Sequence, residues 1–257
     1  MHKQSVIPVK KKLRLRLTDQ AVSLPPKLRS KIDAYWQKRI SAQPAMHNGE
    51  VFTIIRQAED QDIIEFDLAQ TDYAHFVYSR EVGGLGKHAV RVIHPACAIL
   101  ADNQIIFGKM AKHTSLAGVL QMVGGGLDKD AVEPDGSLNI GRTMITELNE
   151  EAGLDANDPR VVKSFKPVFL SFEDGEVGKV VLCYVLVLNQ TPLEFLKSYQ
   201  RFAAKLKVAG EQPEFEELVS LPANQPSVEE FIAAHQEKLN PYMPGLLRAV
   251  AGYTAVS

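Results

Sequence analysis

Cysteine is scarce in this chain: it has two, Cys97 and Cys183, each inside an apolar run. Two thiols in such surroundings read as a buried, unpaired couple rather than a disulfide framework, which fits a reducing cytoplasm. Neither sign of charge is in excess. Against 31 Asp and Glu stand 29 Lys and Arg, a net charge of -2, so no global basic field points to nucleic acid. Long hydrophobic runs are missing too. The longest, Val180 to Leu188, is nine residues, far short of the roughly 20 that a membrane-spanning helix needs. The N-terminus is basic but has no apolar stretch behind it, so it does not read as a secretory signal. No internal repeat is visible. What remains is an ordinary globular composition, 45% hydrophobic and 23% charged, enough for one large domain or a domain with a smaller companion.

The first nine residues read as a loose arm. Lys10 to Leu17 alternates leucine with arginine after a lysine run, the period of a half-buried strand with a solvated basic face. Pro25-Pro26 opens a helix to about Ser41, with Leu28, Ile32, Trp36 and Ile40 as its core-facing stripe. Two strands follow, Val51–Gln57 and Ile63–Leu68, and the segment from Arg80 to Gly86 reads as a flexible junction. Residues 1–87 therefore form an accessory α+β region, and residues 88–257 the main domain. In the latter, strands Ala89–Leu100, Gln104–Gly108 and Val119–Val123 lead to the glycine run Gly124-Gly125-Gly126. Beyond the helix of Asn139–Ala152 lie strands Val161–Phe172 and Val180–Leu188, a helix over Thr191–Ala209, a strand Phe215–Leu221 and two terminal helices.

The chemistry is concentrated in one helix. Glu147, Glu150 and Glu151 stand at i, i+3 and i+4, which a helix brings to one face, and Gly153 stops it. Three like charges destabilise an isolated helix, and they lie toward the C-terminal end, where the helix dipole disfavours negative charge. A hard divalent cation with oxygen ligands relieves the repulsion, magnesium above all. The preceding glycine run can place backbone N–H groups near phosphate.

Gly125-Gly126, a polar loop, and then Glu147-Leu148-x-Glu150-Glu151-x-Gly153-Leu154 resemble the Nudix box. The likeness covers about His88 to Pro222. Two positions depart from the pattern. Thr146 stands where the family has an arginine that braces the acidic cluster, and Arg142, one helical turn earlier, is the expected substitute. The loop is also longer than usual, which leaves Glu133 and Asp135 as candidates for the family's loop glutamate.

The resemblance implies an α/β/α sandwich around a mixed sheet and hydrolysis of a nucleoside diphosphate linked to another group. Glu147, Glu150 and Glu151 would hold Mg2+, with Mn2+ as the substitute. Gly125, Gly126, Arg80 and Lys109 would contact substrate. A carboxylate outside the helix often serves as the base in that family. Here Glu211 and Glu214 lead, with Glu173, Asp174 and Glu176 behind them. The expected partner is a small molecule, neither nucleic acid nor membrane, in a protein that could pair as a homodimer. Trp36, Arg39, Pro44, Asn48 and Gly49 resemble a subgroup acting on UDP-sugars, and an ordinary helix end with a turn reads equally well. ADP-ribose or dinucleotide hydrolysis, or a ligand-binding regulator without turnover, are the alternatives. His88, His94 and His113 lack metal-ligand spacing and read as ordinary histidines, and Trp36 reads as core.

Overall fold

The run from Lys179 to Leu188 is apolar without alternation because both of its faces are buried. On one face lie Val180, Leu182, Tyr184 and Leu186, packed with the first core cluster. On the other lie Val181, Cys183 and Val185, packed with the second. A strand of this kind sits at the centre of a sheet covered on both sides. The computed structural model of the chain has that architecture, and it describes residues 4–43, 46–127, 129–173 and 178–253.

Among the described residues ten strands and six helices follow in chain order: β1 Gln4–Pro8, β2 Lys12–Ala21, α1 Pro26–Ala42, β3 Glu50–Glu59, β4 Ile63–Asp72, α2 Tyr73–Glu81, β5 Val92–Ala101, β6 Gln104–Met110, β7 Leu120–Gln121, α3 Ile140–Ala152, β8 Val162–Glu173, β9 Lys179–Leu188, α4 Pro192–Val208, β10 Phe215–Pro222, α5 Gln225–His235 and α6 Met243–Ala251. They build one mixed sheet in the order β1-β8-β9-β5-β3-β4-β2, with β10 and β7 flanking β6 beside β5. Helices α3 and α4 cover one face through Met144, Leu148, Phe195 and Tyr199. Helices α5 and α6 cover the other through Val228, Ile232, Leu246 and Leu247. The result is an α/β/α sandwich with a mixed sheet, as the resemblance implied.

Strand β5 positions the site. One edge pairs with β9 in parallel from Val92 to Leu100. The other edge is shared: Val92 meets Thr53 of β3, Ile99 to Ala101 meet β6, and between them the Cys97 N–H donates to the Val123 carbonyl at 2.7 Å. The glycine run therefore leaves the sheet where its strands part. The same edge is one of the places where the sheet passes between residues 1–87 and the rest, through the β3–β5 pairing; β1 on β8 is another.

Two expectations are corrected. The supposed N-terminal arm contains β1, zipped antiparallel to β8. Its Gln4 side chain donates to Ser171 Oγ and to the Tyr242 carbonyl and accepts from the Gly245 N–H. Five residues with a tail partner far away in sequence carry too little periodicity to be read locally. Of the supposed junction from Arg80 to Gly86, Arg80 and Glu81 belong to the last turn of α2, whose start is capped by Asp72 and by Asn48 Oδ1, which accepts from Ala74 N–H at 2.7 Å. Its aromatic-rich sequence has weak helix propensity, and packing decides. Trp36 and Ile32 of α1 bury against Ala74 and Val77 of α2, so Trp36 is core. The leucine-arginine strand is β2, with Arg14 and Arg16 paired to Glu65 and Asp67 of β4. Cys97 and Cys183 are buried and free.

Candidate active site

Helix α3 begins at Asn139, whose side chain accepts from the Arg142 N–H, and ends at Gly153 in the left-handed conformation, φ 64°. Its apolar stripe of Ile140, Met144 and Leu148 is buried. The three glutamates separate by environment. Glu151 is 5% exposed, Glu147 is half-buried, and Glu150 is exposed. Glu147 and Glu151 are thus the more buried pair, while Glu150 stays at the rim.

Glu151 is held from two sides. Its Oε2 accepts from the Gly124 N–H at 3.0 Å, and its carboxyl shares a hydrogen bond with Glu214. Burial first, then the Glu214 contact and the charge of Glu147, push its pKa well above the usual carboxylate range, against the pull of the Gly124 N–H. Glu214 is fixed by long-range contacts: its carbonyl accepts from Ala111 N–H at 2.7 Å, and the next carbonyl, of Phe215, accepts from Tyr199 Oη at 2.6 Å. Gly125 lies directly under Glu147, since a Cβ there would stand 1.8 Å from the Glu147 carboxylate. A Cβ on Gly124 would stand 2.2 Å from the Pro95 carbonyl oxygen. Only glycines allow the run to slide between β5 and α3.

The other anticipated residues scatter. Glu211 is exposed beyond α4, where its N–H bonds the Leu206 carbonyl; of the two proposed bases it is Glu214 that reaches Glu151. Glu173 accepts from the Lys179 N–H, and Asp174 and Glu176 lie outside the described residues, as does Pro44. Arg142 does not brace the glutamates. Its guanidinium bonds Glu133 at 2.7 Å, tying the loop to the helix start. Glu133 also accepts from Asn139, and Asp135 from Ser137, so both loop carboxylates serve local structure. Lys109 is committed to Glu217 at 3.1 Å and Glu216 at 3.3 Å, because β6 and β10 are neighbours, and it is not a free phosphate contact.

Arg80 is the remaining anticipated substrate contact. It lines a cavity of 290 Å³ between α2, β3 and β5, together with Tyr73, Phe76, His94, Gly126 and Lys179. Gly126 joins this cavity to the carboxylates, for Gly124 and Gly125 face α3 on the other side. Lys179 and the aromatic wall escaped sequence reading. The one local signal was a lysine at the head of an otherwise apolar strand.

The donor type is what a hard cation takes: Glu147 and Glu214 each lie close enough to act on Glu151, whose carboxylate accepts from the Gly124 N–H. Among the described residues no three His, Cys, Asp or Glu side chains already stand in a ligand arrangement. Also among the described residues, no helix is long and apolar enough to cross a membrane.

No protein-family profile matches the sequence, and no curated protein matches it. Solved structures do resemble it. One is a Nudix-family hydrolase from Clostridium perfringens, 13% identical over 63% of this chain and 96% of that one, TM-score 0.37. Another is a Nudix hydrolase from Nitrosomonas europaea, 14% identical over 63% of this chain and 90% of that one, TM-score 0.37. A third, from Francisella tularensis, is a bifunctional NMN adenylyltransferase/ADP ribose pyrophosphatase, 12% identical over 63% of this chain and 42% of that one, TM-score 0.38. The solved structures to which the chain bears this low-identity likeness are mostly Nudix hydrolases.

Proposed function

We propose that the chain is a Nudix-type hydrolase that cleaves the pyrophosphate bond of a nucleoside diphosphate linked to another group. The observation that carries the reading is the meeting of Glu151 with both Gly124 and Glu214 under the Nudix-like helix. Water attacks one phosphorus, the bridging P–O bond breaks, and two phosphomonoesters leave. Glu214 takes the proton of the attacking water as general base. Glu147 and Glu151, with Glu150 at the rim, would hold Mg2+, or Mn2+ in its place. A bound divalent cation supplies Lewis acidity and offsets charge growing on the phosphoryl oxygens. The backbone N–H groups of Gly125 and Gly126, the Gly124 N–H being held by Glu151, orient the diphosphate and cost no reorganisation.

A UDP-sugar is the finer substrate reading, and ADP-ribose or a dinucleotide the alternative. The residues behind the UDP-sugar resemblance have local duties: Arg39 pairs with Glu81 at 3.1 Å, Asn48 caps α2, and the Gly49 carbonyl accepts from Tyr73 N–H. The deciding experiment is phosphate release, with an added phosphatase, over UDP-glucose, UDP-galactose, ADP-ribose, dinucleotides and thiamine diphosphate, in Mg2+, Mn2+ or EDTA. Turnover that needs the cation and fails in Glu151→Gln is expected. Binding without turnover on any of them would replace the enzyme with a ligand-binding regulator.

A further inference from the structure

We propose that Lys179 and Arg80 form an anion subsite that seats the phosphate of a mononucleotide, with the rings of Tyr73 and Phe76 as the wall for its base. The proposal rests on the hydrolase reading for its ligand class and adds which half of the substrate this cavity takes.

The cavity is built from both parts of the chain. Helix α2 supplies Tyr73, Phe76 and Arg80, and β5 and the head of β9 supply His94 and Lys179. Among the described residues its positive groups are not ion-paired, although Glu50 also lines the cavity and the charge of Glu173 reaches Lys179. Neither Arg80 nor Lys179 forms a salt bridge among the described residues, whereas Arg14, Arg16, Arg29, Arg39 and Arg56 all do. Arg80 instead lies over the Phe76 ring, 5.6 Å from its centroid. The charges feel one another. Burial, and then the charge of Arg80, bring the Lys179 pKa down to about 8, with Glu173 opposing. His94 is pushed well below the usual histidine range by burial and then by Lys179, and its Nε2 is buried without a hydrogen-bond partner. Two cations in one half-buried cavity, without a salt-bridge partner, are an arrangement that a dianion stabilises and an empty cavity does not.

The rings say what the anion is attached to. Tyr73 and Phe76 stand 5.9 Å apart, tilted by 37°, on the wall that also carries Arg80. Flat apolar surface beside a cation pair suits a planar base on a phosphate. A volume of 290 Å³ suits one nucleotide half rather than a whole dinucleotide. Gly126 lines this cavity, so the phosphate held there lies beside the glycine run that faces the carboxylates.

Calorimetry in EDTA tests the subsite without any cation, on UMP, AMP, uridine, adenosine and inorganic phosphate. We expect a monophosphate to bind at least tenfold more tightly than its nucleoside and than inorganic phosphate. Lys179→Met and Arg80→Met should each weaken that binding tenfold or more, Lys179→Arg should retain it, and Lys109→Met should leave it unchanged. Equal affinity for nucleoside and monophosphate, equal affinity for inorganic phosphate, no binding of either monophosphate, or indifference to folded Lys179→Met and Lys179→Gln proteins would each overturn the proposal. Binding without hydrolysis in Mg2+ would leave the subsite standing and remove the hydrolase instead.

Discussion

The backbone N–H of Gly124 donates to Oε2 of Glu151 at 3.0 Å, so the first glycine of the run and the last glutamate of α3 hold each other. Glu151→Gln keeps an acceptor for that N–H and removes the charge. Its turnover should fall by about 10²-fold or more with little change in Tm. Glu151→Ala should lose the same activity and also about 1–3 kcal/mol of stability, because a buried donor is left unsatisfied. Steady-state kinetics and thermal melts on both variants check this. A Gln variant as active as wild type would remove Glu151 from the chemistry.

The neighbouring glycines should respond differently to the same added methyl. On Gly124 the Cβ meets the Pro95 carbonyl, which is backbone and cannot swing away; Gly124→Ala should cost about 1–3 kcal/mol. On Gly125 it meets the end of the Glu147 side chain, which can rotate aside. Gly125→Ala should therefore fold nearly as well but lose activity as the carboxylate is displaced. Denaturant titration read alongside kcat separates the two.

Glu214 and Glu211 are three residues apart, yet only Glu214 touches Glu151. Glu214→Gln should lower kcat by about 10²–10⁴-fold, the usual range for a general base, and Glu211→Gln should stay within a factor of two or so of wild type. A pH–rate profile that loses its acidic limb in Glu214→Gln would complete the assignment. The reverse ranking would move the base to the end of α4.

Arg142 is half exposed and bonds Glu133 rather than Glu147, Glu150 or Glu151. Exposed ion pairs contribute about 0–1 kcal/mol, so Arg142→Ala should shift stability by no more than that and leave kcat and cation affinity intact. A large loss of cation affinity would restore Arg142 as the brace of the acidic cluster.

Lys179 should cost stability at neutral pH. Its folded pKa is about 8, below the ordinary lysine value of 10.5. Between those values the unfolded chain binds more protons than the folded one, so stability rises with pH across the window. Below pH 8 the cost is present in full. Lys179→Met should therefore melt higher than wild type at pH 7, and the gap should narrow toward pH 10.5. A gap that is constant with pH would mean that the lysine does not titrate in the window.

What could be read locally was the pattern of each element. The glutamate spacing, the apolar stripe of Ile140, Met144 and Leu148 and the stop at Gly153 repeat within single turns, so α3 was legible to within a residue. So were the unbroken apolar run of β9 and the proline-led start of α1. Strand β1 and helix α2 were not, because each depends on partners far along the chain: Ser171 and Tyr242 for Gln4, Asn48 and Trp36 for α2.

The sequence by itself determined the helix, its carboxylates and the glycines that let a chain pass close by, since these follow from periodicity and from the absence of a Cβ. Tertiary structure decided which carboxylate is buried, which of two glutamates before β10 reaches it, and that Arg142 and Lys109 are occupied elsewhere. It also decided that Arg80 and Lys179, 99 positions apart in the numbering, share one cavity. The reason is physical: a side chain's charge state and partners are set by burial and by strands paired across the sheet, and neither quantity is written into the residues beside it.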